Sequence, residues 1–241
     1  MVESALLVSV ENTDREFLVR SEGELHTDSG VINLDALKTL EYGATITTHL
    51  GVEFKVLKPR PPDYFHHLKR TGAPMTPKDI GTMIAHTGLN GDDLVLDAGT
   101  GSGILAIFLG GIAKRVVTYE VNREFVKHAK KNVRHAGLTN VEIVEGNVLE
   151  MTSDTEFDVI TLDLHEIGKA VSVVKEFLTS GGFIATFSPF YEQAFEARRA
   201  LGGFTHVTTF EVTEREIQFG KKGIRPATRI GHTGFITIAR G

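Results

Sequence analysis

The chain has 241 residues, 41% of them hydrophobic, and a formal net charge of -5. That length buries a full core, as one large domain or a large domain with a small companion. The absence of cysteine excludes disulfides, thiolate zinc sites and a cysteine nucleophile, and the acidic balance argues against a protein that coats nucleic acid indiscriminately while leaving room for local basic patches.

The amino terminus sets Glu3 and Glu11 around a short apolar run with no basic leader, so no signal peptide is expected. No apolar stretch approaches the ~20 residues that span a bilayer. A cytoplasmic protein without a membrane partner is therefore expected. From Leu6 to Leu57 short alternating strands are broken by turn signals at Ser29-Gly30, Gly43 and Gly51, which predicts a compact β module. Pro59, Pro61 and Pro62 then punctuate the chain. Thr76-Pro77-Lys78-Asp79 reads as a helix start, with Thr76 as N-cap, Pro77 at the first helical position and Asp79 near the positive end of the dipole. A division into residues 1–71 and 72–241 follows.

Beyond that point strands and helices alternate. Strands are predicted at Leu94 to Asp97, Val116 to Glu120, Val141 to Val144, Val159 to Asp163 and Phe183 to Ser188, with helical patterns such as Ile104 to Leu109, Arg123 to Ala136 and Ile167 to Leu178 between them. This is the pattern of an α/β, doubly wound, mainly parallel sheet. Gly181-Gly182 reads as the turn into the fifth strand. Phe204 to Val212, Glu216 to Phe219 and Phe235 to Ala239 read as further strands finishing one sheet edge.

Asp97-Ala98-Gly99-Thr100-Gly101-Ser102-Gly103 joins the first of these strands to a helix. Glycines at such a junction let a ligand lie against bare backbone. Here they fall at every second position, whereas the dinucleotide fingerprint is G-x-G-x-x-G. S-adenosylmethionine is thereby favoured over a nicotinamide cofactor. The second strand ends in Glu120, with Val121 following it, beside the glycine turn in such a sheet, where a carboxylate can accept both ribose hydroxyls and both residues are expected to contact the cofactor.

Gly146-Asn147-Val148 follows the third strand, where Asn147 can donate to and accept from an adenine edge, or serve as an ordinary turn asparagine. Asp163 ends the fourth strand and faces the same crevice, as an acceptor for the donor's ammonium or for a substrate amino group; the plainer role is a helix N-cap. His165 borders it, and His232 precedes the last strand. No pair of the ten histidines has H-E-x-x-H spacing, so no metal site is expected. No nucleophile elbow supports a hydrolase.

Two runs are basic. Residues 55–70 hold Lys55, Lys58, Arg60, Lys69 and Arg70 against Asp63 alone, and residues 221–241 hold Lys221, Lys222, Arg225, Arg229 and Arg240 with no acid. Either run can bind phosphates or simply face solvent. Tyr64, Phe65, Phe187, Phe190 and Tyr191 can stack on a base or pack in the core.

Lys58-Pro59, Lys69-Arg70, Pro77-Lys78-Asp79, the glycine loop, Tyr119-Glu120, Leu162-Asp163-Leu164, Arg225-Pro226 and Gly231-His232-Thr233-Gly234-Phe235 together resemble the tRNA adenine-58 N1-methyltransferases over nearly the whole chain. The glycine loop is shared by many methyltransferases, and the Pro-Lys-Asp and Gly-His-Thr-Gly-Phe segments narrow the resemblance. It implies a small amino-terminal β domain before a class I methyltransferase domain, S-adenosylmethionine as methyl donor, tRNA as substrate and a homotetramer. It further implies that Ser102, Gly103 and Ile104 contact the donor's methionine side, Glu120 its ribose, Gly146 and Asn147 its adenine, and that Asp163 stands at the reacting centre. Thr76, His165, Phe187, Arg225 and His232 are the expected substrate contacts. Family members usually have aspartate at position 147, proline at 165 and tyrosine at 76 and 187, so this chain departs at four of these positions. Two alternatives stand beside this one: a methyltransferase acting on a protein carboxylate or a corrin precursor, and a cofactor-dependent RNA-binding module with little activity.

Overall fold

A computed structural model of the chain describes every residue except Met1, Ala73, Lys222, Arg229 and Ile230. Two members of the carboxyl-terminal basic run, Lys222 and Arg229, thus lie outside the described residues. The amino-terminal strands are β1 (Ser4–Ser9), β2 (Glu16–Arg20), β3 (Glu24–Thr27), β4 (Gly30–Asn33), β5 (Thr45–Thr47) and β6 (Glu53–Leu57). Four of them form an antiparallel sheet in the order β2-β1-β6-β5, and β3 pairs with β4. Their inward residues, among them Leu7, Ile32, Leu37, Phe54 and Val56, make a separate apolar cluster.

Helices α1 (Pro61–His67) and α2 (Pro77–Thr87) lead into β7 (Leu94–Ala98), α3 (Ile104–Gly110), β8 (Arg115–Glu120), α4 (Arg123–His135), β9 (Val141–Glu145), β10 (Phe157–Leu162), α5 (Ile167–Val174), β11 (Leu178–Ser188) and α6 (Tyr191–Ala200). The chain finishes with β12 (Thr205–Glu211), β13 (Ile217–Gly220), β14 (Gly223–Pro226) and β15 (Phe235–Arg240). Seven strands form the main sheet in the order β12-β15-β11-β10-β7-β8-β9. The pairs among β11, β10, β7, β8 and β9 are parallel, and β15 and β12 close the other edge antiparallel.

The central strands are buried on both faces, which is why Leu94-Val95-Leu96 and Val159-Ile160 read as continuous apolar runs rather than alternations. One face packs through Val95, Val159, Ala185 and Phe187 against α2 and α3. The other packs through Leu96, Ile160, Leu162 and Ile184 against α5 and α6. Helix α1 bridges the lobes, with Tyr64 packed on Ile107 and Val133 and partly buried Leu18 completing the cluster.

Three expectations change. Residues 216–219 do not finish the main sheet: β13 pairs only with β14, and every residue of these two strands is exposed, so they offer no face to the core. Gly181-Gly182 lies inside β11 rather than before it. Pairing with β10 shifts there from Phe157 opposite Leu178 to Val159 opposite Phe183, and Gly181 takes φ +83°, so the glycines absorb a bulge. The fifth helix ends at Val174, with a 3-10 turn over Lys175–Phe177. Among the described residues no helix is long and apolar enough to cross a membrane.

Candidate active site

A cavity of about 610 Å³ opens at the carboxyl ends of β7, β8, β9 and β10. Its wall includes Gly99, Thr100, Gly101, Ser102, Ile104, Glu120, Val121, Gly146, Asn147, Val148, Asp163 and His165, so most of the crevice residues expected from sequence meet here. The strand order explains why. In a parallel sheet the βα turns of neighbouring strands share one end, and β7 sits between β8 and β10.

The glycine turn is built around two carboxylates. Gly99 has φ +92°, and a Cβ there would overlap the carbonyl oxygen of Asp163, so the glycine lets the turn after β7 touch the end of β10. Gly101, at φ +54°, instead has no atom nearer than 3.9 Å to such a Cβ and leaves open space for a ligand. Glu120 accepts the Gly101 N–H at 2.9 Å and the Asn122 N–H at 2.8 Å, which fixes its carboxylate against the turn. Each oxygen keeps further lone-pair capacity for a hydroxyl donor.

Asp97 and Gly103 are not on the wall. Asp97 is fully buried and accepts the hydroxyls of Thr118 at 2.5 Å and Thr161 at 2.6 Å, tying three strands together beneath the turn. Burial raises its carboxyl above the ordinary range despite these bonds. Gly103 packs against Ala129 of α4. Asp163 also rises, to about 7, because burial and then the Asp97 carboxylate oppose its charge. The two acids are thus an inner structural one and an outer one that faces the cavity.

Asn147 uses its side-chain oxygen to accept the Leu149 N–H at 3.0 Å, capping a 3-10 turn. Its NH2 is free to donate to a ligand, and the oxygen keeps a second lone pair that can still accept. Ser102 Oγ and Thr71 Oγ1, both on wall residues, are buried without a hydrogen-bond partner. Glycine space, a fixed carboxylate, an amide donor and two orphaned hydroxyls fit an adenosyl group carrying an amino-acid tail. Among the described residues no cluster of acids or histidines fits a metal.

The expected substrate contacts divide. His165 lies on the wall. Phe187 is buried and belongs to the core: a Cβ on Gly234 would come within 2.5 Å of its ring. Because Leu162 pairs with Thr186, Phe187 still sits beside Asp163 at the strand ends. Thr76 is the backbone N-cap of α2, but its hydroxyl donates to Asp79 at 2.6 Å instead of capping the helix. His232 bonds Glu211 at 2.7 Å and the Pro189 carbonyl at 2.9 Å, and the Glu211 bond raises its pKa. Arg225 lies on the exposed β14. Neither His232 nor Arg225 lines the cavity. Sequence reasoning missed Thr71, Pro74, Met75, Phe125 and Leu149 on the wall; only Phe125, one turn after Glu120-Val121, carried a positional signal.

The fold and its glycine-lined crevice define a class I methyltransferase. Residues 95–182 match a family model described as a methyltransferase domain. The chain is 34% identical, over 95% of its length and 92% of the relative, to the tRNA (adenine(57)-N(1)/adenine(58)-N(1))-methyltransferase TrmI of Methanocaldococcus jannaschii, and it belongs to that family. Among solved structures, a SAM-dependent O-methyltransferase from Thermotoga maritima is 27% identical with a TM-score of 0.82, covering 99% of this chain and 92% of that one. The tRNA (m1A58) methyltransferase TrmI of Aquifex aeolicus is similar in fold, with 24% identity, a TM-score of 0.77 and coverage of 99% and 96%.

Proposed function

We propose that this protein transfers a methyl group from S-adenosylmethionine to N1 of adenine in the T-loop of tRNA, at position 58 and, as the name of the Methanocaldococcus jannaschii relative has it, at 57. The observation that carries it is a cavity-facing Asp163, set against the glycine turn and held near neutrality, in a chain of this family. Residues 1–71 and 72–241 are the proposed domains, each with its own apolar cluster.

S-adenosylmethionine, when bound, supplies a methyl group activated by a sulfonium. Glu120 would hold the ribose hydroxyls, Asn147 would donate to the adenine, and Ser102 and Thr71 would meet the polar tail. The neutral N1 of adenine already has a lone pair, so no strong base is needed and most of the work is positioning, where effective molarity is worth about 7–11 kcal/mol. The ionised Asp163 carboxylate accepts the exocyclic N–H of the target base, which fixes the N1 direction. It then stabilises the positive charge that N1 methylation leaves on the ring. A T-loop adenine is stacked in folded tRNA, so it must be turned out at a cost of a few kcal/mol. Contacts to the rest of the RNA must offset that cost. A homotetramer in the cytoplasm belongs to the same proposal.

The test is incubation with labelled S-adenosylmethionine and an unmodified tRNA transcript, followed by mapping of reverse-transcription stops. N1 methylation blocks the pairing edge, so a stop at adenine 58 is the expected result. Label incorporated without a stop would instead indicate methylation at another atom, as the likeness to an O-methyltransferase would suggest.

A further inference from the structure

Helix α4 carries Arg123, Lys127, Lys130, Lys131 and Arg134 against a single acid, Glu124, in a chain whose net charge is -5. Its buried side is Val126, Ala129, Asn132 and Val133, and all five cations are exposed. At 3.6 residues per turn, positions 123, 127, 130 and 134 fall in one stripe about 16 Å long, with 131 beside it. Glu124 pairs with Lys127 at 2.6 Å and Glu145 approaches Arg123 at 4.0 Å. Among the described residues Lys130, Lys131 and Arg134 have no carboxylate within 4.0 Å.

Neighbouring segments extend this charge. Asn132 of α4 donates to the Lys69 carbonyl at 3.0 Å, which lays Lys69-Arg70 alongside the helix. Arg20 of β2 donates to the Arg134 carbonyl at 3.3 Å, adding a cation at the other end. Burial, then the charges of Arg20 and Lys131, lower the pKa of His135, as expected in a positive field. At its start the helix meets the cavity, whose wall includes Val121 and Phe125, and Thr71 follows Arg70 onto the same wall.

We infer that the exposed face of α4, with Lys69, Arg70 and Arg20, is a track for the phosphodiester backbone of the RNA substrate, running from the cavity rim toward the amino-terminal lobe. This rests on the proposed tRNA substrate. Cations one helical turn apart follow a sugar-phosphate strand without reading its sequence, which suits an enzyme that must grip RNA while one base is turned out.

The test replaces Lys130, Lys131 and Arg134 together by glutamine and measures tRNA affinity from ~50 to ~200 mM salt, beside a charge-keeping control of Lys130→Arg, Lys131→Arg and Arg134→Lys. Each lost phosphate contact lowers the magnitude of the log-log salt slope by roughly 0.7 to 0.9. The glutamine variant should bind tRNA at least about tenfold more weakly, with a slope smaller by about 2, while the control matches the native chain. Calorimetry with S-adenosylmethionine should give native affinity for both variants, since none of the three residues lines the cavity. Native tRNA affinity and slope in the glutamine variant would overturn the track and leave the proposed activity standing. A native chain that binds the methyl donor but not tRNA would overturn that activity first.

Discussion

Lys78 and Thr233, 155 residues apart, meet through a hydrogen bond of 2.7 Å between Nζ and the hydroxyl. The same Nζ lies 2.7 Å from a carboxylate oxygen of fully buried Asp79. The next residue, Gly234, rests on the Phe187 ring, which stands beside Asp163 at the strand ends. The Pro-Lys-Asp and Gly-His-Thr-Gly-Phe segments are therefore one contact layer supporting the wall next to Asp163.

Lys78→Met removes the cation from a buried carboxylate and should cost about 3–5 kcal/mol, whereas Thr233→Val loses one hydrogen bond and should cost about 1 kcal/mol. Chemical denaturation measures both. An unchanged unfolding midpoint for Lys78→Met would show that the pair does not support the fold.

Asp163→Asn keeps the shape of the side chain but removes the charge that, in the proposed mechanism, faces the methylated ring. Turnover of tRNA should fall by about 10²–10³, the typical cost of losing one preorganised electrostatic partner, with donor affinity little changed. Single-turnover assays and calorimetry separate the two. Undiminished methyl transfer would remove Asp163 from the reacting centre.

The raised pKa of Asp163, about 7, sets two pH effects. An unfolded aspartate titrates at ~3.9, so between roughly pH 4 and 7 the native chain binds the extra proton. Stability from this group therefore falls as pH rises across that window and is level above it. Asp163→Asn escapes the loss, so its melting temperature should exceed that of the native chain at pH 8, for a gain of at most about 4 kcal/mol, and match it near pH 4. Activity should run the other way, because the proposed mechanism uses the ionised acid: kcat/KM should climb through pH 7 to a plateau above about pH 8. A variant equally stabilised at both pH values would contradict the assignment.

Gly99→Ala and Gly101→Ala should part company. The first forces a Cβ into the Asp163 carbonyl at φ +92° and should destabilise by about 2–4 kcal/mol. The second meets open space, so its stability cost should stay near 1 kcal/mol, from φ +54° alone, while the methyl group occupies ligand volume and donor affinity drops. Melting curves paired with donor titrations check this, and equal stability of the two variants would contradict it.

Local signals made much of this molecule legible in advance. Apolar runs at Leu94, Val116 and Val159 and the intervening helical periods determined a parallel sheet, because strands buried on both faces and one-sided helices leave different periodicities. The glycine spacing and the strand-ending Glu120 and Asp163 determined the crevice, because a parallel sheet gathers its carboxyl ends. Tertiary structure alone decided which of these residues face the cavity. The apolar run of β7 does not say that Asp97 is sealed beneath Thr118 and Thr161, and nothing local tells Phe187 that Gly234 will cover it. The exposure of β13 and β14, the meeting of Lys78 with Thr233, and the alignment of Lys69 and Arg20 with α4 are likewise long-range contacts. Such contacts are fixed by packing among distant segments, and a neighbour's residue type carries no trace of them.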